Sequence, residues 1–558
     1  MYTQQLVHLG SLGLTALTAS LPLVVLFILL GVLRMTAWKA SLIALAVAIV
    51  VAVTVYQMPL NQALLSGTLG AVFGFFPILW IVLNAIWIYN MTVETGHFGV
   101  LQRSFAKVSS DQRIQAVIIA FCFGALLEAL AGFGTPVAIT SVMLLALGFT
   151  PMKSAVIALV ANTAPVAFGA LAAPIVALAT TSGISEGTLG AMTGRQTPVL
   201  ALFVPLVLVF LVDGKRGVRS TLPATITCGL TFAVAQFAAS NYLSVPLTDI
   251  VAALLAAGSV VLVLRVWTPS EPYTLEHARA AAAEEDGPTG GGGATTLTKT
   301  ATTTTDTPTL PDTRTNVIKA YAPYLIIIAV FSIAQISVVK TALAAVTVKF
   351  GWPGLDVRSP AGKALSLSTF TFNWLSAAGT LLIIAGLLTI PVLGIHPGRA
   401  VARYLGTYVQ LKYAIITVMA VLALAYVMNA SGETASLGLF LAGAGGLFAL
   451  ISPILGWLGV AVTGSDTSSN TLFGALQVAA ANKVGISPTL TAAANGAGGV
   501  LGKMISPQNL AIAAGAVGLA GREGDIFRKV VGWSVLFLAL MCVLVYLQST
   551  PVLGWMVV

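Results

Sequence analysis

Residues 124–139 read GALLEALAGFGTPVAI, and they narrow what this chain can fold into more than any other stretch. Glu128 sits inside a run otherwise made of Ala, Leu, Gly and Phe. Gly132-Phe133-Gly134 then loosens the backbone, and Pro136 removes an amide donor. Carrying an acid to the centre of a membrane helix costs roughly 2.5–3.5 kcal/mol on insertion scales. Broken backbone leaves amides and carbonyls unpaired, which is tolerated at membrane depth only where it lines a protein-walled or watery cavity. The stretch therefore describes a polar hole in a membrane protein, and the remaining chain must frame it.

Only 8% of the 558 residues are charged and 57% are hydrophobic, whereas soluble domains carry about 25% charged residues. No soluble core buries that much apolar chain without a charged shell, so the fold class is an all-α polytopic membrane protein. The net charge of +9 implies no nucleic-acid partner. Its Lys and Arg fall between apolar runs, at Arg34/Lys39, Arg103/Lys107/Arg113, Lys215/Arg216/Arg219 and Arg522/Arg528/Lys529. Loops of that kind stay on the cytoplasmic side, which puts the N-terminus outside. Cys122, Cys228 and Cys542 lie in apolar runs and read as small hydrophobes. The opening MYTQQLVHLG has no basic region, so no cleaved signal peptide is expected.

A span needs about 20 apolar residues. Residues 11–33, 37–56 and 65–89 qualify, followed by a short surface amphipathic helix around LQRSFAKV. Residues 114–133 enter the membrane, and 136–149 are half-length and read as re-entrant. Residues 153–181 hold Asn162, Pro165, Gly169 and Pro174 and read as an interrupted helix. Spans follow at 199–212, 221–239 and 251–267. The stretch 268–316 is Gly/Thr/Ala-rich without apolar period and reads as a disordered linker. Beyond it, 317–339 and 364–393 read as spans, the second with a polar centre, TFTFNW. Residues 399–412 read as a surface amphipathic piece before spans at 414–428 and 437–462. TGSDTSSNT at 463–471 reads as a polar break and 472–481 as half-length. Residues 490–515 read as interrupted at Asn495, Gly502, Lys503 and Pro507, and 531–547 as the last span. The expectation is about 12–14 membrane segments in two halves, 1–267 and 317–558. Interrupted segments are expected at about 114–181 and about 463–515.

The halves echo one another. NTAPVAFGALAAP, from Asn162, aligns without a gap on NGAGGVLGKMISP, from Asn495. Interrupted segments paired across two halves are what secondary transporters use to build a site near the bilayer midplane. The sequence leaves open whether the repeat is parallel or inverted.

On these residues the chain resembles the bacterial L-lactate permease family. The likeness covers nearly the whole length outside the linker. It is most specific at GALLEALAGFGTPVAI, at ANTAPVAFGALAAP (161–174) and at TGSDTSSNTLFGALQ (463–477). The resemblance implies proton-coupled uptake of lactate and glycolate in the plasma membrane. It also implies kinship with an ion-transporter superfamily built from inverted repeats with re-entrant hairpins. Ser469-Asn470-Thr471 is similar to the Ser-Asn-Thr triplets at hairpin tips of dicarboxylate carriers in that superfamily, and Asn162-Thr163 matches only in part.

Glu128 is the first candidate for proton coupling, since acids inside a membrane are functional by default. A carboxyl in a half-dry site holds its proton more tightly than one in water and can exchange it as access alternates. The plain alternative is an acid satisfied by a helix end or a buried Lys. Asp466 is the second candidate, among Ser465, Thr467, Ser468, Ser469 and Asn470, whose hydroxyls and amide can bind a carboxylate, a hydroxyl or Na⁺. A polar loop with capping residues is the bland alternative there. Lys503 can hold a substrate carboxylate, pair with Glu128 or Asp466, or snorkel to the interface. The substrate is expected between Gly132, Gly134 and Thr135 on one side and Thr467–Asn470 on the other, with Asn162, Thr163, Ser465 and Lys503 nearby. His8, His97, His277 and His396 lie outside the spans, so no histidine relay is expected.

No GxxxxGK[ST] motif is present, which disfavours ATP-driven transport, and no cofactor or metal is expected. Lactate is an anion, and drawing it into an inside-negative cell costs about 2.3 kcal/mol per 100 mV. One co-transported proton cancels that charge. A sodium-coupled di- or tricarboxylate carrier and an anion channel are the competing expectations. A membrane-embedded enzyme would need a nucleophile–base pair or a metal set, and neither is found.

Overall fold

The computed structural model describes every residue except 34, 133, 270–272, 274–309, 361, 366, 367, 520 and 521. Most of the expected linker at 268–316, with His277, lies outside the described residues. Among the described residues ten helices are long and apolar enough to cross a membrane. The number is eleven when 151–161 and 166–182, bent by 62°, count as one span.

In chain order the first part comprises α1 (Leu12–Phe27), α2 (Ala37–Thr54), α3 (Leu60–Phe73), α4 (Trp80–Glu94), α5 (His97–Ala106), α6 (Gln112–Ala116), α7 (Gly124–Ala131), α8 (Thr135–Ala146), α9 (Pro151–Ala161), α10 (Gly169–Ser182), α11 (Glu186–Thr193), α12 (Thr197–Ala201), α13 (Val204–Ala238) and α14 (Thr248–Val266). The second comprises α15 (Arg314–Gln335), α16 (Ser337–Ala344), α17 (Ala378–Leu393), α18 (Pro397–Ser431), α19 (Glu433–Leu441), α20 (Phe448–Thr463), α21 (Asp466–Val484), α22 (Pro488–Gly502), α23 (Pro507–Ala516) and α24 (Glu523–Gln548). Among the described residues four short strands complete it: β1 (Tyr2–Thr3) lies parallel to β3 (Val357–Arg358), and β2 (Val348–Gly351) lies antiparallel to β4 (Thr369–Phe372).

Helix α18 fixes the two ends of the molecule. Near its start Arg399 and Arg403 both reach Glu94, the last residue of α4. At its end Gln4 Nε2 donates to the carbonyls of Asn429 and Ala430. Thirty-five residues at 1.5 Å each separate a basic face from an N-terminal face by about 50 Å.

Two helical hairpins point inward from these opposite faces. In the first, α6, a π-helical stretch at Val117–Phe123 and α7 run in as one helix, and α8 runs back. Gln112 Nε2 donates to Leu147 O (2.6 Å), so both outer ends lie together. Neighbouring Arg113 bonds Asp213 (3.0 Å), beside the basic turn at Lys215 and Arg219, which marks that end as the basic face. In the second, α20 runs in and α21 runs back. The far part of α21 packs on α19 at Gly438, and Ser436 of α19 donates to Leu6 O, which marks the N-terminal face. The two hairpins therefore open on opposite faces.

Four expectations are corrected. Residues 364–393 are not one span: TFTF forms β4, and the helix is only Ala378–Leu393. Alternation of Phe and Thr is a strand period, and Phe370 and Phe372 pack on Phe73 and Phe76. Residues 399–412 and 414–428 form one helix, because no breaker lies between them and an apolar stripe (Val401, Leu405, Val409, Tyr413) runs through the join. The break in TGSDTSSNT is confined to Gly464 and Ser465, since Ser465 caps α21 by accepting from Ser468 N (3.2 Å) and helix begins at Asp466. In the last interrupted segment Asn495 and Gly502 lie within α22, and the break falls at Lys503–Ser506. The α22 glycines serve close packing: β-carbons at Gly498 and Gly502 would strike the carbonyls of Pro453 and Trp457 on α20.

Candidate functional site

The breaks converge. Gly132 (φ +38°) and Gly134 (φ +83°) turn the first hairpin, with Thr135 N closing onto Gly132 O at 2.9 Å. A β-carbon at Gly134 would lie 2.3 Å from Ile512 and 3.4 Å from Asn509 Oδ1, so this tip rests on the start of α23. Gly464 (φ +74°) turns the second hairpin, and Asn509 Nδ2 reaches its carbonyl at 3.5 Å. Asn509 thus touches both tips, a role that sequence reasoning missed.

Glu128, 3% exposed, lies one turn before the first tip. Its Oε1 receives Lys503 Nζ at 2.7 Å and its Oε2 receives Asn162 Nδ2 at 2.9 Å. Lys503 begins the break after α22, and Asn162 begins the break after α9. One carboxylate therefore joins three interrupted segments from both halves. Of the alternatives open for Lys503, the structure selects the pair with Glu128. Between Asn162 and the body of α10, Ala170, Leu171 and Ala172 all take positive φ (44°, 50° and 62°). A left-handed turn costs L-residues roughly 1–2 kcal/mol each, so this buried segment is held in a strained form.

Asp466 occupies the first turn of α21, where backbone amides favour an anion. Its Oδ2 accepts from Asn470 Nδ2 (3.3 Å), while Oδ1 is buried without a partner in the protein. That oxygen faces Gly499 of α22, where a β-carbon would lie 2.3 Å away. Gly499 is one helical turn before Lys503, and Asp466 feels the charges of both Lys503 and Glu128. Asn470 Nδ2 also donates to Pro174 O (3.1 Å) and its Oδ1 accepts from Asn495 Nδ2 (2.9 Å). Gln477 donates in turn to Asn495 Oδ1 (3.1 Å). Asn495 thus braces Asn470 from within a helix, and Gln477, missed in the sequence, orients Asn495.

Other expected residues lie near but face elsewhere. Thr163 Oγ1 donates to Val160 O, Ser469 Oγ to Gly456 O, and Ser465 Oγ is spent on its cap. Thr467 and Ser468 are buried in the first turn of α21 beside Asp466. The arrangement brings Glu128, Asp466, Lys503 and the asparagines that bond the two acids, Asn162 and Asn470, together where both hairpins end.

The sequence matches the family described as L-lactate permease over residues 15–552. The glycolate permease GlcA of Escherichia coli is 39% identical, over 100% of this chain and 99% of its own. The L-lactate permease of Bacillus subtilis is 39% identical over 98% of each chain, and that of Escherichia coli 38% over 98% of each.

Proposed function

The chain belongs to the L-lactate permease family, and on that footing we propose that it imports L-lactate and related 2-hydroxymonocarboxylates, glycolate and D-lactate among them, by proton symport. It is a permease rather than an enzyme, and a multi-pass protein of the bacterial plasma membrane.

The observation that carries the proposal is the 2.7 Å contact between Lys503 and Glu128, buried partners 375 residues apart. A lactate carboxylate that takes Lys503 must displace the Glu128 carboxylate. An uncompensated buried charge costs several kcal/mol, so the exchange is favourable only if Glu128 is neutralised by a proton. The pair carries no net charge before lactate and a proton bind and none after. Anion and proton therefore load together, and the membrane potential does not oppose the loaded carrier. Asn162 holds the other oxygen of Glu128, and Asp466 stands beside Lys503 as the second candidate acid.

The hairpins are read as re-entrant segments from opposite sides of the bilayer, and the two halves as the repeats that alternate access around the pair. Substrate contacts are assigned to Lys503, to the tip residues Gly132, Gly134 and Thr135, and to the first turn of α21 from Ser465 to Asn470.

The test is uptake of radiolabelled L-lactate into proteoliposomes with an imposed pH gradient and no sodium. Accumulation that an uncoupler abolishes supports symport. Uptake that waits for sodium or a dicarboxylate transfers the site to the sodium-coupled alternative. Non-saturable flux that never exceeds equilibrium would make it a channel.

A further inference from the structure

A further buried acid, Asp249, lies outside this cluster. Asp249, in the first turn of α14, is fully buried. Gln236 Nε2 donates to its Oδ1 (2.9 Å) and also approaches Ala164 O (3.3 Å), in the break that starts at Asn162. Gln236 Oε1 receives the Thr197 hydroxyl at 3.3 Å. The amide is thus fully used, and Asp249 Oδ2 has no partner in the protein. The acid is close enough to Glu128 to feel its charge.

Three more buried polar atoms without protein partners lie on the adjoining segments: Thr193 Oγ1, Gln196 Oε1 and Ser244 Oγ. Thr193 is one turn from Thr197, whose hydroxyl also reaches Thr193 O (3.1 Å), and Ser244 O accepts from Thr248, next to Asp249. Buried polar groups almost always find a partner, in protein or in water. Four such atoms on adjoining segments form a polar seam that water can occupy. It lies at the end of α13 away from the basic turn at Lys215 and Arg219. There Gln196 bonds Gln548 at the end of α24, and Arg195 bonds Met556 O. The seam therefore runs from the N-terminal face towards Asn162 and Glu128.

We propose that Asp249 is a further proton-binding site, the acid through which protons from the N-terminal face reach Glu128. The proposal rests on the proton-coupled reading above. Asp249 releases its proton to water, the proton passes to the Glu128 carboxylate, and the Asp249 carboxylate takes the next proton from the face. Among the described residues packed on α14, Glu128 on α7 is the charged group that bears on Asp249. Cys122 and Cys228 face one another at 3.5 Å, and Tyr242 is exposed. Asp213, Lys215, Arg216 and Arg219 of α13, and Arg265 of α14, lie towards the basic face.

The experiment compares wild type and Asp249→Asn in proteoliposomes, reading pH-gradient-driven uptake over a pH series and lactate counterflow at equal pH. The expected result is at least a tenfold loss of gradient-driven uptake with an altered pH profile, against a loss of counterflow below threefold. A wild-type rate and wild-type pH profile in the variant overturn the proposal, as does an equal loss in both assays, which marks a purely structural residue. Wild-type uptake indifferent to an uncoupler would instead remove the symport reading itself. Should Asp249→Asn fail to reconstitute, Asp249→Glu decides: a shifted pH of half-maximal uptake supports a proton site, and an unshifted one overturns it.

Discussion

A β-carbon at Gly169 would lie 2.8 Å from Glu128 Oε1, so the acid occupies space that only a glycine leaves open. Asp466 has the same relation to Gly499, at 2.3 Å. Each acid is seated against the bare backbone of an interrupted segment. Gly169→Ala and Gly499→Ala should each lower lactate uptake at least tenfold by displacing a carboxylate. Gly187→Ala, where nothing lies within 4 Å, should leave it unchanged. Initial uptake rates normalised to reconstituted protein check this.

Charge balance at Lys503 and Glu128 makes a second prediction. Lys503→Met alone should abolish lactate binding and cost about 3–5 kcal/mol of stability, because it strands a buried carboxylate. The double variant Glu128→Gln, Lys503→Met should regain most of the stability and none of the transport. Thermal melts in detergent, with uptake assays alongside, separate the two effects.

Asn509 touches both hairpin tips and also bonds Ser506 Oγ at 2.8 Å. Asn509→Ala should cost about 1–3 kcal/mol through the polar groups it strands. Uptake should slow as the tips lose their common support. A lowered melting temperature with wild-type uptake would show that the bridge matters only for stability.

Lactate and glycolate differ by a methyl group, worth about 1–3 kcal/mol in an apolar pocket. Both are expected to load on Lys503 through the carboxylate. Glycolate should therefore compete for L-lactate uptake with a potency within roughly 10–200-fold of that of L-lactate. Failure to compete at any concentration would place the carboxylate elsewhere.

The acids and the lysine were legible because a charge inside an apolar run has few bland explanations. Glu128, Asp466 and Lys503 stood out for that reason, and the structure brings them together. Asp249 was not singled out, because TDIVAALL places it at the edge of a span, where an acid reads as an ordinary first-turn residue. Gln236 and Gln477 were missed because amides in helices carry no pattern until their neighbours are known. Glycine was the least legible signal. The run GAGGVLG reads as a break, yet Gly498 and Gly502 let α22 lie against α20 and the helix continues through them. The opposite entry of the two hairpins needed the long-range contacts of Gln112 with Leu147 and of Ser436 with Leu6.

Coupling through Glu128 is best measured as proton movement driven by lactate. Proteoliposomes holding a pH-sensitive dye are given a lactate gradient, without sodium, for wild type and Glu128→Gln. Wild type should acidify its lumen by one proton per lactate. Glu128→Gln should show no lactate-driven acidification and retain lactate counterflow. Undiminished acidification in the variant would contradict the assignment of the transported proton to Glu128.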